Sequence, residues 1–112
     1  MKSIAPAAAL KLITAKTAMM IDVREADEYD YENIPGSLLQ SLSFFDAELF
    51  PDLKDKTLII MCKAGMRSAA VIKQLEEVGY SDIYNLEGGI VAWEEAKFET
   101  EGKKYEALDY QI

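Results

Sequence analysis

The sequence predicts an α/β domain, a small parallel β-sheet flanked by helices on both faces. Three observations carry that prediction. Segments of strand and helix character alternate along most of the chain, the order that a parallel sheet with crossover helices requires. Thr57–Met61 is a short unbroken apolar run of the kind a strand buried on both faces shows. Directly after it, Cys62 and a compact polar loop lead into Ser68–Val78, which has the spacing of an amphipathic helix.

Ser3 and Ile4 open a short edge strand. Pro6 then suits the first turn of a helix running to about Ala15, with Ala9, Leu10 and Ile13 on its inner face. Ala18–Val23 is the next strand, nearly all apolar until Asp22. Glu25–Tyr31, acidic and aromatic, reads as a short surface helix with Tyr29 turned inward. Pro35 and Gly36 punctuate Asn33–Ser37 as a turn before a short strand around Leu38–Gln40. Phe44, Phe45, Leu49 and Leu53 recur at helical spacing over Phe44–Leu53, a stretch expected to stop near Pro51 and to supply ordinary core.

In the helix after the polar loop, Val71, Leu75 and Val78 share one face, and Gly79 supplies a left-handed cap. Ile83–Leu86 is a further short strand. Gly88 and Gly89 form a tight strand-to-helix turn opening a helix that carries Val91, Ala92 and Trp93, the tryptophan as core packing. Residues 97–112 mix charge with Phe98, Tyr105, Leu108, Tyr110 and Ile112, which fits a docked hairpin, a final helix or a mobile tail.

With 112 residues the chain is read as one domain, 1–112, able to bury roughly two-thirds of the surface its unfolded form exposes. Its net charge of -8 argues against general nucleic-acid or anionic-membrane partners, which need a basic field. A single cysteine rules out an internal disulfide, a CxxC redox pair, a multi-cysteine zinc site and a resolving thiol. The absence of histidine removes a Cys–His dyad, a Ser–His–Asp triad and histidine metal sites. No metal or cofactor is therefore expected. Lys2 before an alanine-rich run resembles a signal peptide, but Lys11 and Lys16 interrupt the run, so the amino end reads as mature sequence. No stretch approaches the ~20 apolar residues of a membrane span, and a cytoplasmic protein is expected.

The chemistry concentrates at residues 62–68. A tight strand-to-helix connection converges backbone N–H groups on one point, and the positive end of the following helix adds to that field. Cys62 opens the loop, and Lys63 and Arg67 place two cations beside a thiol whose nucleophilic form is the anion. Position alone also fits an inert core cysteine. The spacing points elsewhere: Gly65 permits a left-handed backbone, Arg67 follows Cys62 by five residues, and Ser68 is placed to cap the helix. Ala64, Gly65 and Met66 would contribute amides, with Met66 as an apolar rim. Activation of Cys62 must come from the loop and the helix end.

CKAGMRS resembles the active loop of the rhodanese family, in which cysteine, four intervening residues, arginine and then serine or threonine head a helix. Upstream, MIDVREADEYDYENIPGSL resembles that family's Asp-x-Arg stretch and Ile-Pro-Gly segment; downstream, VGYSDIYNLEGGIVAW resembles its closing Gly-Gly and tryptophan motif. The ordered resemblance covers residues 3 to about 95, leaving 97–112 as an extension. It implies a sulfurtransferase in which Cys62 attacks the outer sulfur of a small sulfur-containing anion such as thiosulfate. The resulting persulfide would pass its sulfur to cyanide, a thiol or a protein acceptor. On that resemblance Lys63 to Arg67 bind substrate, and Asp22, Arg24, Ser68, Gly88 and Gly89 support the site. Glu32 and Asn33 stand where the family commonly has Gly-His, which removes whatever hydrogen bond the histidine usually makes. Two rival readings are a phosphatase or arsenate reductase, whose related loop carries five residues between cysteine and arginine, and a non-enzymatic module that holds sulfur or binds a partner.

Overall fold

The computed structural model describes residues 1–109. Strands β1 (Ser3–Ile4), β2 (Ala18–Asp22), β3 (Leu38–Leu39), β4 (Thr57–Met61) and β5 (Ile83–Leu86) form one parallel sheet in the order β1-β5-β4-β2-β3. Helices α1 (Pro6–Thr14), α2 (Ala26–Tyr31), α3 (Met66–Glu77) and α4 (Gly89–Glu95) alternate with the strands, and α5 (Lys103–Asp109) ends the described chain. The expected architecture, a parallel sheet covered on both faces, is the one that forms.

β4 is apolar without alternation because both of its faces are covered. Leu58, Ile60 and Cys62 face Val71, Ile72 and Leu75 of α3, while Ile59 and Met61 face Ala9 of α1 and Ile90 and Trp93 of α4. Leu58, Ile59, Ile60 and Met61 have no exposed surface. Each such side chain gains about 1.5–3 kcal/mol from burial, so this strand anchors both layers. β4 pairs with β2 along its whole length, Ala18 beside Thr57 and Asp22 beside Met61.

From β2 the chain moves outward to β3, and from β4 it moves the opposite way to β5. The strand order therefore reverses between β2 and β4, and their carboxyl ends open the crevice in which such sheets take ligands. Cys62 follows β4 there, and Arg24 follows β2.

The stretch Phe44–Leu53 departs from expectation. A single 3-10 turn, Leu42–Phe44, is followed by turns in place of a helix. Asp46 accepts the Glu48 N–H at 2.9 Å, a local side-chain turn that competes with helical bonding, and Pro51 removes a donor. Phe45, Phe50 and Leu53 pack against the α3 side of the core, but Phe44 is 88% and Leu49 81% exposed, so neither is core.

The segment after α4 folds back onto the domain. Phe98 meets Trp93 edge to face, the Trp93 indole donates to the Glu99 carbonyl at 2.9 Å, and Glu101 forms an antiparallel bridge with Asn33. Of the residues singled out in this segment, Tyr110 and Ile112 lie outside those described.

Candidate active site

Cys62 leaves β4 with its side chain on the α3 face and is 1% exposed. Gly65 follows at φ 111°, a left-handed conformation open to glycine, and caps α3 with its backbone. That turn aims the Gly65 N–H at the Cys62 sulfur, 3.0 Å away. The helix begins at Met66, two residues earlier than the sequence pattern suggested, which places Ser68 inside the first turn. Its hydroxyl caps nothing; it lies 3.3 Å from Cys62 Sγ and donates to Asn85 Oδ1 at 2.6 Å. Asn85 Nδ2 in turn donates to the Gly65 carbonyl at 3.0 Å, so the loop, α3 and β5 close a ring of polar contacts around the sulfur.

Burial alone would push the Cys62 thiol up. The Ser68 hydroxyl and the backbone N–H groups of Ser68, Gly65 and Ala64 outweigh it and hold the thiol below its ordinary value. The same loop is fixed from the other side by α4. The N–H groups of Ile90 and Val91 donate to the carbonyls of Cys62 and Lys63 at 3.0 and 3.2 Å, which leaves the loop's own amides free to turn toward the sulfur. Gly89 makes this approach possible, since a Cβ there would collide with both carbonyls.

Arg67 is paired. Its two amino groups bond Glu28 at 2.7 and 3.0 Å, a fork-to-fork contact between α3 and α2. Glu28 also accepts the Glu25 N–H at 2.9 Å at the start of α2. The Arg67 hydrogen bonds hold its carboxyl at about 2 despite partial burial. Lys63, Ala64 and Met66 are exposed, Met66 at 85%. Lys63 makes no ion pair among the described residues, and with Arg24, Glu28, Tyr31, Val91 and Glu94 it lines a shallow cavity of about 240 Å³.

Asp22 and Arg24 are buried and tied to each other at 2.8 Å, and Arg24 also donates to the Glu32 carbonyl at 2.7 Å. They brace the end of β2 against α2 and do not reach the sulfur through any hydrogen bond. Glu32 and Asn33 have a structural use of their own. The Glu32 carboxylate accepts Thr100 Oγ1 at 2.6 Å and Lys104 Nζ at 3.0 Å, while Asn33 bridges Glu101 and donates to the Tyr29 carbonyl at 2.9 Å. Asn33 Oδ1 is buried without a hydrogen-bond partner among the described residues.

Two residues of the site escaped the sequence reading, Asn85 and Glu28. An isolated polar residue inside the apolar run Ile83–Leu86 was the available signal for the first. Glu28 stands three residues after Glu25 in a capping pattern, which explains a helix start and says nothing of Arg67. Among the described residues no cluster of three or more acidic or cysteine side chains could hold a metal ion, and no helix is long and apolar enough to cross a membrane.

The fold is thus a parallel α/β sheet that presents one cysteine, held below its ordinary pKa, in an amide-lined loop at the reversal of its strand order. The family model for the rhodanese-like domain matches residues 5–96, and the chain belongs to that family. It is 33% identical over 95 residues to the thiosulfate sulfurtransferase GlpE of Pseudoalteromonas translucida, covering 85% of this chain and 90% of that one. It is 36% identical over 94 residues to the putative sulfurtransferase YtwF of Bacillus subtilis, covering 83% and 90%. A rhodanese-related protein from Thermoplasma volcanium has the same fold, with a TM-score of 0.78 at 29% identity over 90% of this chain and 98% of that one.

Proposed function

We propose that this chain is a single-domain sulfurtransferase that carries sulfur as a persulfide on Cys62. The observation that carries the reading is the environment of the sulfur, which accepts the Gly65 N–H at 3.0 Å and has the Ser68 hydroxyl at 3.3 Å. A thiolate so held is a nucleophile without any histidine base.

In the first half-reaction the Cys62 thiolate attacks the outer sulfur of thiosulfate. A new sulfur–sulfur bond forms, the bond within thiosulfate breaks, and sulfite leaves with the electron pair. Loop amides and Lys63 stabilise the departing anion. Arg67 steadies the loop through Glu28, and Met66 forms an exposed apolar rim at its edge. In the second half-reaction an external thiolate or cyanide takes the outer sulfur and the Cys62 thiolate returns. No second cysteine competes for that sulfur, so the persulfide waits for its acceptor, a small thiophile or a protein thiol. The reading takes residues 1–112 as one domain working in the cytoplasm without metal or cofactor, and without nucleic acid or membrane as partner.

Intact-protein mass after incubation with thiosulfate tests it. Wild type should gain one sulfur atom and lose it to cyanide as thiocyanate appears, whereas Cys62→Ser should gain none. No gain in the wild type, or Cys62-dependent hydrolysis of a phosphate ester, would overturn it.

A further inference from the structure

We infer that Glu28 sets the charge selectivity of the cysteine loop, by holding both amino groups of Arg67 and so cancelling that cation toward an incoming sulfur donor. The inference deepens the proposed function, because it says which donors the loop admits.

Two cations border Cys62 in the sequence, Lys63 and Arg67, and a dianion such as thiosulfate would be drawn by both. In the folded chain they differ. Arg67 is engaged through both amino groups at 2.7 and 3.0 Å, and its partner is held in turn by the Glu25 N–H at 2.9 Å. The guanidinium cannot swing toward the loop without giving up both hydrogen bonds to Glu28, which would keep the Glu25 N–H. Lys63 stays exposed at the cavity mouth. Arg67 still feels the charge of Cys62, so the pair lies within electrostatic reach of the reacting sulfur. A neutralised Arg67 means the loop binds donors through its amides and one exposed lysine. Donors of low charge, such as organic persulfides and polysulfides, are then admitted on terms close to those of thiosulfate.

The single cysteine gives a test that does not depend on sulfur transfer. Cys62 is alkylated at low ionic strength with anionic iodoacetate and with neutral iodoacetamide, and the ratio of the two rates is followed by intact mass. Changes in thiol ionisation affect both reagents alike and cancel in the ratio. Glu28→Gln should raise the iodoacetate-to-iodoacetamide ratio about threefold, with the gain shrinking as salt is added. The double variant Glu28→Gln with Arg67→Met should lose that gain. Arg67→Met alone uncovers the Glu28 carboxylate and should lower the ratio, as should Lys63→Met. An unchanged ratio in folded Glu28→Gln overturns the inference. So does an unchanged ratio in Arg67→Met, which is the deciding result if Glu28→Gln does not fold, and so does a double variant whose ratio falls as far as that of Lys63→Met. Sulfur loading by thiosulfate with an unchanged ratio would sink the inference and spare the proposed function; a raised ratio without loading would do the reverse.

Discussion

The Ser68 hydroxyl oxygen lies 3.3 Å from the Cys62 sulfur and donates its proton to Asn85 Oδ1 at 2.6 Å, so one hydroxyl serves both neighbours. While Cys62 is a neutral thiol, its S–H can donate to that oxygen. Once Cys62 ionises, the hydroxyl proton is best turned to the sulfur, and Asn85 competes for it. Because Ser68 helps hold the thiol below its ordinary value, Ser68→Ala should move the pH profile of iodoacetamide alkylation to higher pH. The rate at neutral pH should fall roughly tenfold, the worth of a hydrogen bond to a charged group. An unmoved profile would mean that the amides alone set the ionisation.

Arg67→Ala should reduce turnover with thiosulfate about tenfold while changing KM less than about twofold, since the loss is one of loop position and not of an anion contact. Circular dichroism should show the fold retained. A raised KM with unchanged kcat would instead mark Arg67 as a donor-binding cation.

Glu28 ties acid stability to the loop. Its folded value of about 2 lies below the ordinary 4.5, so on acidification the unfolded chain takes up this proton first. The stabilisation is complete above about pH 4.5 and is lost as pH falls toward 2. With its side chain 31% exposed, solvent screening leaves on the order of 1 kcal/mol. Urea unfolding between pH 5 and about pH 2.5 should show the wild type converging on Glu28→Gln. Parallel curves would show that the ion pair adds nothing to folding.

Much of this was legible in the sequence, for physical reasons that differ by residue. Thr57–Met61 announced a strand buried on both faces because no polar residue interrupts it, and Pro6, Gly65 and Gly89 mark their turns through backbone geometry that few other residues adopt. Phe44–Leu53 misled because apolar spacing is only one vote; the Asp46 side-chain turn and Pro51 outweigh it, and Phe44 is left in solvent. Arg67 was visible as a cation, but its pairing was not, since Glu28 lies 39 positions away on another helix. Likewise Asn85 reaches the sulfur through Ser68, 17 positions distant, and through Gly65, 20 positions distant. Such long-range pairings depend on sheet order, which a single sequence does not fix.

Gly89→Ala should disturb the loop more than any other single methyl in this region. The added Cβ would meet the Cys62 and Lys63 carbonyls, to which the Ile90 and Val91 amides donate, and φ at this position is 59°. A loss of about 2 kcal/mol or more in stability is expected, with slower alkylation of Cys62 in whatever folds. Wild-type stability and reactivity would show that α4 does not brace the loop.

Glu32 replaces the family's usual glycine and anchors the segment after α4. Its side chain is 9% exposed, and burial would push its carboxyl up; the Thr100 hydroxyl and Lys104 hold it below its ordinary value, as an anion. That anion is the common acceptor for Thr100 at 2.6 Å and Lys104 at 3.0 Å. Glu32→Ala keeps the backbone carbonyl that Arg24 uses and removes only the anchor. Stability should fall by about 1 to 2 kcal/mol, and limited proteolysis should cut sooner within residues 97–106. Alkylation of Cys62 should stay within about twofold of wild type, because the anchor shares no hydrogen-bond partner with the sulfur. A large change in Cys62 reactivity would instead mean that this segment is coupled to the loop through Arg24 and Asp22.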